Sequence, residues 1–198
     1  QAFPENQSIQ ENNTRQKYSI PESHKIIIYV GNFEKRRNIN FLLDIATTCK
    51  DDNITFLFIG EGVLYSEAQQ IKKEQQLNNV ILPGRLPQKE LPTIYQIADL
   101  FLLASDYEIY GMVVLEAMFY SVPVISNNTA GPASIINTYI NGVIIDDLEK
   151  EQWINTIKDL LNDSDALSSL KAKAKEKIIN ELTWEKIAQL YLNNVIKK

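Results

Sequence analysis

Apolar, β-branched runs alternate with amphipathic stretches along most of this chain, and that alternation constrains its fold more than any single residue does. Ile26-Ile-Ile-Tyr-Val30 is continuously apolar, the mark of a strand covered on both faces. Ile54 to Ile59, Val80 to Leu82, Asp99 to Ala104, Val122 to Ile125 and Gly142 to Ile145 repeat the pattern. Between them lie helical stretches, the first with Ile39, Leu42, Leu43 and Ala46 on one side, then residues 66–76, 88–97, 112–120 and 131–136. Strands and helices in strict alternation predict an α/β domain built on a doubly wound parallel sheet, Rossmann-like in class. Residues 148–161, 165–182 and 183–197 read as helices and form a helical C-terminal tail. Asp165 with Ser168, and Thr183 with Lys186, are imperfect caps for the last two.

Residues 1–24 are polar and carry no period, so they read as a lead-in or interdomain linker, partly ordered at most. Residues 25–198 hold the domain and its tail. A length of 198 residues with 44% hydrophobic content suffices to bury the core of one domain. A net charge of −5 and a pI near 5.0 argue against nucleic acid as a partner, because phosphate backbones demand basic surface. The single cysteine, Cys49, excludes an internal disulfide, suits a reducing compartment and reads as a core thiol. No apolar run approaches the ~18 residues of a membrane span. The chain starts Gln-Ala-Phe-Pro, with neither Met nor a leader, which reads as the middle of a longer protein.

In a sheet of this kind ligands bind outside the carboxyl ends of the strands. The loops there are Gly31 to Arg37, Gly60-Glu-Gly62, Pro83-Gly-Arg85, Ser105 to Gly111 and Asn127 to Gly131. Each carries glycine, charge or both. Glycine lets backbone approach a ligand closely, and helix N-termini attract anions, so the set points to a phosphate-containing ligand. The competing explanation is that βα turns favour glycine in any case. The first loop lacks the G-x-G-x-x-G of a dinucleotide site, and no P-loop is present. His24 lies in the lead-in and reads as solvated; no His/Cys spacing suits a metal, and Ser105 has no histidine near it in sequence.

One carboxylate stands out. Glu116 falls among Val113, Val114, Leu115, Ala117 and Met118, where ionisation costs several kcal/mol unless the charge is paired. It is either a structural, hydrogen-bonded glutamate or one aimed at a ligand.

Ser105-x-x-Glu108-x-x-Gly111-x-x-x-x-Glu116-Ala-Met, followed by Val122-Pro-Val-Ile, resembles the E-x7-E region of retaining GT-B glycosyltransferases, glycosyltransferase family 4 in particular. Tyr29-Val-Gly31 with Arg37, Phe58-Ile-Gly-Glu-Gly62, Val80 to Gly84, Ala98-Asp99 and Thr183-Trp184-Glu185 are similar to family positions in the family's order. The resemblance spans residues 26–197 and implies the C-terminal, donor-binding half of a GT-B fold, with the N-terminal acceptor domain absent from this chain.

By that resemblance Glu108 accepts hydrogen bonds from donor-sugar hydroxyls, and Arg37 neutralises the diphosphate where the family usually has lysine. The backbone N–H groups of Ile109, Tyr110 and Gly111, beside Met112, meet the sugar or diphosphate. Glu116 turns to the ribose hydroxyls, which resolves its two readings in favour of the ligand. Gly31, Gly60 and Gly62 line the crevice, and Leu82 to Gly84 border the base. Asn32 stands where arginine is usual, so one of two diphosphate cations is missing unless Lys35, Arg36 or Arg85 replaces it. Ser121, Ala130 and Ser134 also depart from the usual residues. The implied reaction transfers a sugar with retention from a nucleotide-diphosphate sugar to a glycan, lipid or other acceptor, in cell-surface polysaccharide or glycoconjugate synthesis. It proceeds from the front face, with no metal and no other cofactor expected. The implied setting is cytoplasmic, with room for peripheral association of the full protein at the membrane face. The alternatives are a non-catalytic nucleotide-sugar-binding module and a sugar-nucleotide epimerase of the same fold.

Overall fold

The computed structural model describes residues 11–182 and Lys186. Apart from Lys186, the predicted helix over 183–197 lies outside the described residues, as does Trp184. The elements are α1 (Glu11–Lys17), β1 (Lys25–Val30), α2 (Ile39–Thr48), β2 (Ile54–Ile59), α3 (Tyr65–Glu74) and β3 (Val80–Gly84). They continue with α4 (Leu91–Ile97), β4 (Leu100–Leu103), α5 (Met112–Phe119), β5 (Val124–Asn127), α6 (Ala130–Ile135), β6 (Val143–Ile145), α7 (Lys150–Asn162) and α8 (Ser164–Glu181).

The strands form one six-stranded sheet in the order β3-β2-β1-β4-β5-β6, every pairing parallel. This is the doubly wound α/β architecture that the alternation predicts, with a helical C-terminal region. Chain direction across the sheet reverses between β1 and β4, and right-handed crossovers then place α2 and α3 on one face and α5 and α6 on the other. Each of those helix pairs is in contact, and α8 packs along α5. The mostly apolar β1, beyond its exposed Lys25, and β2 are buried because helices cover both sides of the sheet. Asp99, just before β4, accepts from the Ile26 N–H at 3.0 Å and from Lys171 Nζ at 3.1 Å, which fastens α8 to the sheet.

Several local expectations change. The polar lead-in carries α1, and its end is docked: Ile20 is buried, Lys17 pairs with Glu90 at 2.7 Å, and Arg15 donates to the carbonyls of Pro21 and His24. His24 is half-buried, its Nδ1 at 3.0 Å from Thr55 Oγ1, rather than solvated. The predicted helix over 88–97 begins as a 3-10 turn at Gln88–Glu90, and α4 starts with Pro92 in its first turn, where a missing N–H costs nothing. The strand expected at Val122 to Ile125 runs over Val124–Asn127. Its polar end is buried because Asn127 Nδ2 donates to the Ser105 carbonyl at 2.7 Å. The cap of α8 is Asp163 rather than the expected Asp165, and α7 is capped by Glu149, each accepting two backbone N–H groups; the cap expected at Thr183 lies outside the described residues. Cys49 is fully buried, and burial pushes its thiol up to about 11, as suits a core thiol.

Candidate active site

The loops after β1 and β4 face each other across the point where the sheet reverses, and they are laced together. Asn38 Nδ2 donates to the Ala104 carbonyl at 2.8 Å and to Asp106 Oδ1 at 2.6 Å. The Asp106 N–H donates to the Arg36 carbonyl at 2.8 Å, and the Arg36 guanidinium lies 5.4 Å from the Tyr107 ring centre. Within this frame Arg37 Nη1 donates to Ser105 Oγ at 2.9 Å and forms an ion pair with Glu108 Oε2. Both side chains are mostly withdrawn from solvent, at 13% and 14% exposure, where Coulomb attraction is stronger than at an open surface. Arg37 Nε is buried and has no partner among the described residues, a spare donor of the guanidinium fork. Sequence reasoning names Arg37 and Glu108 separately; their pairing across 71 residues belongs to the topology.

Glycines make this close approach possible. At Gly60 φ is +143°, and a Cβ there would sit 1.8 Å from the Gly31 carbonyl oxygen, so a side chain would separate the loops after β1 and β2. A Cβ on Gly62 would stand 2.5 Å from the carbonyl oxygen of Phe33, whose N–H donates to the Glu61 carbonyl at 2.8 Å. On the other side a Cβ on Gly131 would stand 2.8 Å from the Gly111 nitrogen. The Gly131 N–H donates instead to the Glu108 carbonyl at 2.7 Å and ties that loop to the start of α6. Gly111 caps α5 in a left-handed conformation.

The remaining predicted residues fall around this centre. The Gly111 N–H, expected to be open to a ligand, is directed at Glu108 Oε1 at 3.4 Å. Ile109, Tyr110 and Met112 are exposed, at 58%, 76% and 52%, and leave apolar surface at the mouth of α5. Asn32 is exposed, its Nδ2 3.3 Å from Glu34 Oε1, and its carbonyl accepts from the buried Tyr29 hydroxyl at 2.8 Å. Of the three substitutes for the missing cation, Arg36 pairs with Glu34 at 3.0 Å, whereas Lys35 and Arg85 are exposed. Gly84 ends β3, and Leu82 beside it accepts a hydrogen bond from the Tyr65 hydroxyl at 2.8 Å.

Glu116 is half-buried on α5, and the Tyr95 hydroxyl donates to its Oε2 at 3.0 Å. Burial raises its carboxyl above the ordinary 4.5, and the Tyr95 hydrogen bond opposes that rise. Side chains four apart share a helix face and lean toward the helix N-terminus, so Met112, Glu116 and Tyr120 form one line aimed at the mouth of α5. Tyr95 was missed from the sequence. A phenol between Ile94 and Ile97 on a largely buried helix is the available signal, since a buried tyrosine hydroxyl needs a partner. Among the described residues no cluster of three or more His, Cys, Asp or Glu side chains could hold a metal. Among them, too, no helix is long and apolar enough to cross a membrane.

Residues 10–177 match the sequence profile of the family described as glycosyl transferases group 1. The chain belongs to that family. A protein of the cps region of Klebsiella pneumoniae, 41.2 kDa and uncharacterized, is 34% identical over 119 residues, 60% of this chain and 32% of that protein. N-acetyl-α-D-glucosaminyl L-malate synthase of Bacillus anthracis is 26% identical over 179 residues, 89% of this chain and 46% of the enzyme. The chain thus matches about a third to a half of the length of these relatives. Among solved structures, a TarM variant of S. aureus in complex with fondaparinux, α-GlcNAc-glycerol and UDP aligns with a TM-score of 0.76 at 23% identity, covering 87% of this chain and 36% of TarM. The C-terminal domain of LpcC, a group 1 glycosyl transferase of Francisella tularensis, aligns at 0.77 and 22% identity, covering 88% of this chain and 94% of that domain. These likenesses carry the fold: a Rossmann-like domain of the GT-B type.

Proposed function

We propose that this chain is the donor-binding half of a retaining glycosyltransferase of family 4, taking a nucleotide-diphosphate sugar as donor. The observation that carries the reading is the withdrawn Arg37–Glu108 pair beside the N-terminus of α5. A diphosphate would draw the Arg37 fork, through its spare Nε–H, while Glu108 would turn to sugar hydroxyls. As the glycosidic bond breaks, charge grows on the leaving diphosphate, and Arg37 with the first N–H groups of α5 would stabilise it. Glu116 would hold the ribose, while Gly31, Gly60, Gly62 and Leu82 to Gly84 would line the crevice. The likeness to TarM, whose structure holds UDP, supports a nucleotide diphosphate as ligand. The acceptor, a glycan or lipid, would be held by a second domain outside this chain. A lipid-linked acceptor would bring the full protein to the cytoplasmic face of a membrane. No metal is needed for this chemistry.

The test is calorimetric titration of this chain with nucleoside diphosphates and monophosphates of several bases. Diphosphates are expected to bind more tightly, with no sugar transfer by the chain alone. Equal affinity for the two, or none for either, overturns the reading, and efficient transfer by residues 1–198 refutes the division of labour between domains. The orientation of Asn32 toward Glu34 favours one second reading, a nucleotide-sugar-binding module without turnover. A screen of nucleotide sugars with the full-length protein separates the two.

A further inference from the structure

Glu116 is held by a residue the sequence did not single out. Tyr95 is 1% exposed, and its ring is near-parallel to two neighbours, Tyr120 at 5.5 Å and 6° between planes and Phe101 at 6.2 Å and 21°. A fully buried ring packed against two other rings has little freedom, so its hydroxyl is a fixed donor. Burial holds the phenol well above its ordinary 10, so it stays protonated and keeps donating. That donor meets only Oε2 of Glu116, at 3.0 Å. A carboxylate has about four acceptor positions, and Oε1 takes none of its hydrogen bonds from the described residues.

We propose that Tyr95 is a positioning residue: it occupies Glu116 Oε2 and fixes the carboxylate so that its open acceptors receive the paired hydroxyls of a ribose, which makes the site selective for ribonucleotides over 2′-deoxyribonucleotides. The proposal rests on the donor-binding reading above and adds what sets its sugar selectivity. With the 2′-hydroxyl gone, a half-buried carboxylate oxygen loses its donor and gains nothing in return, a loss that a site built around the hydrogen bond does not absorb. With Tyr95 gone, the carboxylate can rotate, and the same acceptors are no longer aimed.

The test is titration of this chain with UDP, 2′-deoxy-UDP, GDP and 2′-deoxy-GDP, for the wild type, Tyr95→Phe, Glu116→Gln and the double variant. The wild type is expected to favour the ribonucleotide by about 10- to 100-fold. Tyr95→Phe should lose most of that preference while retaining affinity for the deoxy compounds, a pattern that general loosening of the fold would not produce. In the Glu116→Gln background the same change should shift the preference little, because Tyr95 acts only through Glu116. A wild-type preference surviving in Tyr95→Phe overturns the role of Tyr95 and leaves the donor-binding reading standing. A preference retained by Glu116→Gln overturns the ribose contact. Absence of binding to all four compounds overturns the donor-binding reading together with this one. Circular dichroism accompanies each variant, and if Tyr95→Phe fails to fold, para-fluorophenylalanine at position 95, which fills the place of the hydroxyl but cannot donate, must lose the preference or the proposal fails.

Discussion

The two glutamates of one short motif, Glu108 and Glu116, are satisfied in opposite ways. Glu108 sits on a loop and is met by a full positive charge, Arg37, from the neighbouring loop. Glu116 sits on a helix and is met by a neutral hydroxyl, Tyr95, in a setting that raises its carboxyl. The first arrangement pairs its charges without a ligand and, on the proposed function, would have to be shared or opened for a diphosphate. The second is under-satisfied among the described residues and, on the same reading, would gain from the hydroxyl groups of a ribose. Charge compensation and ligand readiness are thus separated within nine residues of chain.

Breaking the charged half should have the largest effect. Arg37→Met removes the cation of the pair, and diphosphate affinity is expected to fall on the order of 100-fold by calorimetry. Monophosphate affinity should fall much less. Equal losses for both would mean that Arg37 shapes the pocket rather than meeting the diphosphate.

The same comparison predicts opposite signs for two identical substitutions. Glu108→Gln leaves Arg37 without a counter-charge and should lower unfolding free energy by about 1 kcal/mol in denaturant titration. Glu116→Gln removes a charge that burial disfavours yet keeps a carbonyl for Tyr95, and should raise stability at neutral pH by up to about 1 kcal/mol. Two changes of the same sign would show that the glutamates do not differ as described.

Much of this scaffold was legible in the sequence, and the reasons are local. Ile26 to Val30 is an unbroken apolar run and Ile54 to Ile59 is interrupted only by Thr55, and runs of that kind are buried whatever their neighbours. The strand-end loops were legible because parallel strands all release their loops on one edge. The helix α1 was not, because Glu-Asn-Asn-Thr-Arg-Gln-Lys has no apolar face, and its anchors, Glu90 and the carbonyls of Pro21 and His24, are distant or backbone. Nor was the Arg37–Glu108 pair, since a pattern shows two charged loops but not that β1 and β4 are sheet neighbours. Tyr95 escaped for the same reason: its partner lies 21 residues on, in another helix.

Acidity sharpens the contrast more gently. The carboxyl of Glu116 is raised in the folded chain, so the native state holds its proton more tightly than the unfolded state. Stability from this group is therefore present at low pH and is lost as pH rises above the ordinary 4.5 and through the folded value. Melting temperatures of wild type and Glu116→Gln should converge below that window and separate above it, the variant being higher. Parallel curves would mean that the proton plays no part.

The smallest effect, and the finest test, compares two hydroxyls on stacked rings. Tyr95 and Tyr120 lie 5.5 Å apart and nearly parallel, yet the Tyr95 hydroxyl serves Glu116 while the Tyr120 hydroxyl is buried without a partner among the described residues. Removing a satisfied donor from a carboxylate exposes the charge; removing an unsatisfied one relieves a desolvation cost already present. Tyr95→Phe should therefore destabilise the ligand-free chain by about 1 kcal/mol, and Tyr120→Phe should be neutral or stabilising by a few tenths. The stacking surface is unchanged in both, so the difference reads the hydroxyls alone. Should Tyr120→Phe prove the more damaging of the two, the polar partner of Glu116 would have to be reassigned from α4 to the end of α5.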